Sequence, residues 1–303
     1  MTAAQLRGVY VPLVTPFGDD GSIDFASLQR LANDSLEAGA TGLVALATTG
    51  EVTSLADAER TDVVNALSEV SADRGTPLIV GAATNDTATT VARHIALEGV
   101  PAVIASLAVV PYYVRPSESA IVAHFEFVAE RSPVPLVVYN IPYRTGRGLA
   151  APALLELAAV PNVAGLKQAV GSLDADTLTV LANAPADFAV LGGDDAFLAP
   201  IVLAGGAGAI AASAHLCTDR FVAMIDAALA GDAARARPHA EALLPLVLAL
   251  FAEPSPAIMK AVLHAEGRIA TPNVRMPLSA ASRVGAEAAL AAFRAASAAT
   301  LAS

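Results

Sequence analysis

The chain has no tryptophan and one cysteine, Cys217. A single thiol cannot close an internal disulfide or build a cysteine-based metal cluster, and so sparse a cysteine content fits a reducing compartment. Lysine is nearly missing as well: Lys167 and Lys260 are the only two, and every other fixed cation is an arginine. Acids outnumber bases, 29 Asp and Glu against 18 Lys and Arg, for a formal net charge of -11. That sign repels the phosphates of nucleic acid and of anionic membrane surfaces, so neither is an expected partner. The five histidines are scattered without metal-ligand spacing, and there is no H-E-x-x-H, P-loop or post-strand G-x-G-x-x-G. Hence no metal and no cofactor is expected; only His215 falls where a strand end could use it. The longest uncharged stretch, 196–218, is broken by Pro200 and Gly205-Gly-Ala-Gly208, which reads as helix, turn and strand rather than a membrane span. Met1 to Arg7 has no long apolar region, so no signal peptide is expected and a cytoplasmic location is.

What is present is a regular alternation along 303 residues, 55% of them hydrophobic and many of those alanine. Short Val/Ile/Leu-rich runs of strand length occur at 8–14, 42–47, 77–82, 102–109, 135–139, 163–167, 188–191 and 208–212. Helical spacing follows them at 24–37, 55–72, 85–99, 117–131, 151–159, 173–182 and 195–203, with Asp24 placed to cap the first, Asn85-Asp86 opening the third and Ser117-Glu118 beginning the fourth. Near-continuously apolar strands mean a parallel sheet covered by helices. Eight such units predict an α/β fold, a (β/α)8 TIM barrel over 1–230, in preference to a doubly wound sheet. Strand signals then stop. Helical segments at 221–230, 233–251, 256–265 and 286–299 predict a C-terminal helical appendage, with 231–303 as its domain.

In such a barrel, chemistry sits at the C-terminal ends of the strands. The sixth run, Val163-Ala-Gly-Leu-Lys167, ends on a lysine. Burying an ammonium is costly unless it is paired or neutral, so Lys167 is either a neutral amine able to form a Schiff base or a side chain snorkelling to water. Other strand ends carry Thr48-Thr-Gly-Glu51, a set of hydroxyls and backbone N–H groups suited to a carboxylate, together with Pro111-Tyr-Tyr113, Tyr139-Asn-Ile-Pro-Tyr-Arg144 and Gly193-Asp-Asp195. Taken singly, each has a plain alternative: a turn for Thr-Thr-Gly, packing for the tyrosines, a helix cap for the aspartates. Their joint placement beside a strand-end lysine favours the Schiff base.

Thr48-Thr-Gly-Glu51, Pro111-Tyr-Tyr113, Tyr139-Asn-Ile-Pro142, Gly165-Leu-Lys-Gln-Ala169 and Gly193-Asp-Asp195, with Val14-Thr-Pro-Phe17 before them, resemble the signatures of the dihydrodipicolinate synthase / N-acetylneuraminate lyase family. The resemblance spans nearly the whole chain. It implies pyruvate bound as a Schiff base to Lys167, with its carboxylate held by Thr48 and Thr49. It implies Tyr139 as acid and base, a proton relay completed by Thr48 and Tyr113, and pocket backbone at Gly193 and Ile210. It also implies a homotetramer of tight dimers, in which Tyr113 reaches the neighbouring site. Arg144 matches the arginine that holds an aldehyde's carboxylate in members acting on aspartate semialdehyde, which points to lysine and diaminopimelate biosynthesis. The alternatives are an aldolase or dehydratase for a sugar-derived 2-oxo acid, and a non-catalytic keto-acid sensor. Ala47, Val114, Gln168 and Ile210-Ala-Ala212 depart from the family pattern. At the family's feedback site for lysine the chain has Asp57, Arg60 and Thr89, keeping only Asn85 and Tyr112, so lysine is not expected to inhibit.

Overall fold

The structure, a computed structural model, describes residues 6–299. The reading of Met1 to Arg7, and the outer ends of both predicted domains, lie partly outside these residues. Eight parallel strands close into one barrel in chain order: β1 (Gly8–Pro12), β2 (Gly42–Ala45), β3 (Leu78–Gly81), β4 (Val103–Val109), β5 (Leu136–Asn140), β6 (Val163–Gln168), β7 (Ala189–Gly192) and β8 (Gly208–Ile210). Around them lie α1 (Phe25–Glu37), α2 (Asp57–Arg74), α3 (Thr87–Ile95), α4 (Glu118–Arg131), α5 (Pro142–Thr145), α6 (Ala151–Ala158), α7 (Ala175–Asn183) and α8 (Leu198–Leu203). The chain continues through α9 (Thr218–Leu229), α10 (Ala233–Leu250), α11 (Ala257–Ala265) and α12 (Arg283–Ala298). The predicted TIM barrel with C-terminal helices is therefore the fold.

The expected Asp24 cap forms, and Asp86 and Ser117 cap the helices they open. Asp24 accepts from the Ser27 N–H at 2.9 Å, Asp86 from Thr89 at 2.7 Å and Ser117 from Ala120 at 3.2 Å. Several boundaries differ from the sequence reading, and one short element is additional to it. The helix predicted over 85–99 ends at Ile95 and leads into a turn closed by Gly99 at φ 71°. The eighth strand stops at Ile210 because Ala212–His215 turn into a 3-10 segment. The short α5, carrying Pro142 in its first turn, was not predicted at all; four residues are too few to show a helical period.

Alternation builds two apolar layers. On β5, Val137 and Tyr139 face the barrel interior with Tyr10, Ile79, Leu191 and Ile210, whereas Leu136 and Val138 pack outward against Phe125 and Leu154. Each fully buried side chain of this kind contributes about 2 kcal/mol.

On β6 the alternation breaks. Leu136 pairs with Val163 but Val137 pairs with Gly165, so the register slips at Ala164–Gly165. A bulge reverses which face later residues present. Val163 and Leu166 both pack in the outer layer, while Ala164 and Ala169 lie in the inner one. Lys167, which shares the phase of Val163 in the sequence, is thereby turned inward.

Candidate active site

Lys167 is 5% exposed, and its Nζ lies 4.4 Å from the centroid of the Tyr139 ring on the neighbouring strand. Room for its stem depends on Gly193. A Cβ there would stand 2.8 Å from Lys167 Cε and 2.9 Å from Cγ. Loss of hydration pulls the Lys167 amine down to about 8, against the opposing pull of Asp195 and Asp194. Those two carboxyls are in turn pushed up, chiefly by burial. Neither caps a helix, contrary to the plain reading of the pair: Asp194 accepts from the Gly171 N–H at 2.5 Å and Asp195 from the Ser213 N–H at 2.6 Å.

Past β2 the chain makes a 3-10 turn over Thr48–Gly50. The Thr15 hydroxyl donates to the Gly50 carbonyl at 2.7 Å and ties this turn to the end of β1. Thr49 is buried, and Thr48 lines the same cavity as the Tyr139 phenol. Burial, then the nearby Tyr143, raises the Tyr139 hydroxyl well above its ordinary range, so it stays protonated at neutral pH.

A cavity of about 650 Å³ collects these groups: Thr48, Thr49, Tyr139, Arg144, Lys167, Gly193, Asp194 and Asp195 line it. Arg144, on α5, is exposed at this cavity, with its guanidinium 4.9 Å from the Tyr143 ring centroid. Among the described residues it pairs with no carboxylate, so it is not spent on a surface helix. Part of the wall comes from the end of α10 and the loop after it, through Val247, Leu248, Phe251 and Ser255. Nothing in the sequence pointed to these residues, since a helical stripe and the loop after it carry no label for what they will cover.

Two predicted residues stand apart. Ile210 is fully buried in the inner layer, and Ala212 forms the cavity wall beyond β8. Tyr113 is 87% exposed with a φ of 72° and lines no part of this cavity. Its neighbour Tyr112 borders a second cavity of about 260 Å³ that also touches Thr48, Tyr139 and Arg144. His215 is a core residue. It accepts from the Val14 N–H at Nε2 (3.0 Å) and donates from Nδ1 to the Ala212 carbonyl (2.8 Å), and burial lowers it to about 4. Among the described residues no three His, Cys, Asp or Glu side chains converge as a metal site.

A deeply buried amine of lowered basicity beside a protonated phenol, under a carboxylate-sized turn and an open guanidinium, can condense a keto acid with a second, acidic carbonyl compound. Residues 5–295 match the model of the dihydrodipicolinate synthetase family. The chain is 39% identical over 274 residues to 4-hydroxy-tetrahydrodipicolinate synthase of Neisseria meningitidis serogroup B, covering 90% of this chain and 93% of that protein. It superimposes with a TM-score of 0.92 on the chloride-inhibited dihydrodipicolinate synthase of Acinetobacter baumannii complexed with pyruvate, at 30% identity over 96% of this chain and 99% of that one. A monomeric dihydrodipicolinate synthase variant gives the same TM-score, 0.92, at 31% identity over 97% of this chain and 98% of that one.

Proposed function

Because the chain belongs to the dihydrodipicolinate synthetase family, we propose that it is a class I, Schiff-base lyase condensing pyruvate with aspartate semialdehyde to 4-hydroxy-tetrahydrodipicolinate, in lysine and diaminopimelate biosynthesis. The observation that carries this reading is the buried Lys167 amine against the Tyr139 ring, in a cavity that Arg144 also lines.

The neutral Lys167 amine adds to the pyruvate ketone while Thr48 and Thr49 hold the carboxylate. Tyr139 gives a proton to the carbinolamine oxygen, water leaves, and an iminium forms. The iminium draws electrons from the adjacent methyl group, which loses a proton to become an enamine. The enamine carbon attacks the aldehyde carbon, whose oxygen takes up a proton, while Arg144 holds the aldehyde's carboxylate. The substrate's own amine then displaces Lys167 from the imine carbon and closes the ring. Gly193 leaves space for the lysine through this cycle, and the backbone at Ile210 belongs to the same proposed pocket.

Arg144→Ala tests the second substrate. The kcat/KM for aspartate semialdehyde is expected to fall by about a hundredfold, the cost of a charge-assisted paired hydrogen bond. Borohydride trapping of pyruvate on Lys167 should stay unchanged. A variant that kept its semialdehyde activity, or turned over a sugar-derived 2-oxo acid as well as the parent does, would favour the sugar-acid aldolases.

Regulation follows from charge. In the cavity between α2 and α3, Arg60 and Arg93 share the one Asp57 carboxylate at 3.1 and 3.4 Å. A lysine side chain would meet cations there, so millimolar lysine should leave the initial rate unaltered. Inhibition in that range would overturn this.

Assembly and location complete the proposal. Tyr113, so largely exposed, is read as reaching the site of a second copy within a homotetramer, where it would join Thr48 and Tyr139 in a proton relay. The proposed division is a catalytic barrel over 1–230 and a helical domain over 231–303; α9 lies against β1 and α8 on one side and against α10 on the other, and Asp232 caps α10. A cytoplasmic location is assigned, and among the described residues no helix is long and apolar enough to cross a membrane.

A further inference from the structure

The second of the two lysines has no place in the mechanism above, yet it is the more deeply buried. Lys260, on α11, is fully buried, and its Nζ donates to Glu51 Oε1 and, at 2.8 Å, to the Asn273 carbonyl. Its partner Glu51 lies 209 residues away in the chain. Glu51 is the residue that ends the Thr48–Gly50 turn: its N–H donates to the Thr48 carbonyl at 3.1 Å, and its backbone is left-handed at φ 52°. The second carboxylate oxygen accepts from the Arg275 N–H at 2.8 Å. The Arg275 guanidinium then binds Glu59 on α2 and the Ser54 carbonyl, in the 3-10 turn Val52–Ser54 that follows Glu51. Both cations lie against the Phe17 ring, with Lys260 Nζ 4.1 Å and Arg275 Cζ 4.4 Å from its centroid.

A buried ion pair is a poor way to gain stability, because well-packed apolar side chains often do as well. What it supplies is a directional, strongly coupled link between two points of the chain. Here one point is a strained residue next to Thr48 and Thr49, and the other is a helix of the C-terminal segment. We infer that Lys260 and Glu51 are positioning residues, through which the C-terminal helices hold the Thr48–Thr49 turn in the geometry that receives the pyruvate carboxylate. The C-terminal segment on this view is part of the pyruvate site rather than an appendage to it. A small rotation at Glu51 would displace both hydroxyls together.

The inference rests on the proposed use of Thr48 and Thr49, so the parent enzyme is measured first: pyruvate and borohydride, with the adduct located by mass spectrometry. If the parent gives no adduct on Lys167, the functional reading itself has failed. With the parent trapped, Glu51→Gln and Lys260→Met are each expected to raise the pyruvate concentration for half-maximal trapping by about tenfold or more, as a misplaced site does. The KM for aspartate semialdehyde, held from Arg144, should stay within about twofold. Each single change leaves a buried charge unpaired and threatens folding, so the double variant Glu51→Gln/Lys260→Met, which removes both charges, carries the decision. It should melt cooperatively and still bind pyruvate poorly. Half-saturation near the parent value in the folded double variant would overturn the inference. So would failure of the double variant to fold, which would make the pair a stability element.

Discussion

Lys167→Arg will give no borohydride-reducible pyruvyl adduct, and its turnover will fall by roughly a thousandfold or more, since a guanidinium is never neutral and cannot form the imine. Arginine keeps the charge and much of the stem, so the loss reads the chemistry rather than the cavity. The parent protein supplies a second readout. The amine is lowered from 10.5 to about 8, which raises the reactive neutral fraction at pH 7 by roughly two to three orders of magnitude. The sign is fixed by which form reacts. Below pH 8 the amine is protonated, so trapping should fall about tenfold per pH unit. Above pH 8 it should level off. A plateau reached only near pH 10, or an adduct surviving in the arginine variant, would remove Lys167 from the centre of the reaction.

Tyr139→Phe carries the next largest effect. The ring that packs against Lys167 is kept and only the hydroxyl is lost, so the fold and the pyruvate concentration for half-saturation should change little. Turnover should drop by roughly a hundred- to ten-thousandfold, the usual worth of a positioned acid and base. Because burial raises the Tyr139 hydroxyl further above its ordinary range, it stays protonated through the working range. The parent profile should therefore show no alkaline decline near pH 10 from this group. Turnover within tenfold of the parent would pass the proton role to water or to Thr48.

Much of this architecture is legible in one dimension. Eight apolar runs spaced by helical segments leave a parallel barrel as the economical solution, because each strand must be covered on both faces. The strand-end rule then picks out Thr48, Tyr139, Lys167 and Gly193 from the sequence alone. Asp194 and Asp195 were harder to place. Two acids before a helix suggest a cap, yet their oxygens turn to the Gly171 and Ser213 N–H groups on adjacent loops. Tyr113 is legible as a motif, while its exposure on a single chain is not.

Local periodicity sets the eight strands, the longer helices and their order, and the places where apolar runs stop mark the end of the barrel that carries polar chemistry. The direction of the central lysine comes from strand pairing instead: Lys167 shares the phase of the outward Val163, and the register slip at Gly165 turns it in. Only packing could bring Lys260 to Glu51 across 209 residues, or bring the end of α10 to the cavity wall. Periodicity encodes what a residue does within its own element. Which buried charge meets which, and on which face, depends on how distant elements close on one another, and no short window of the chain records that.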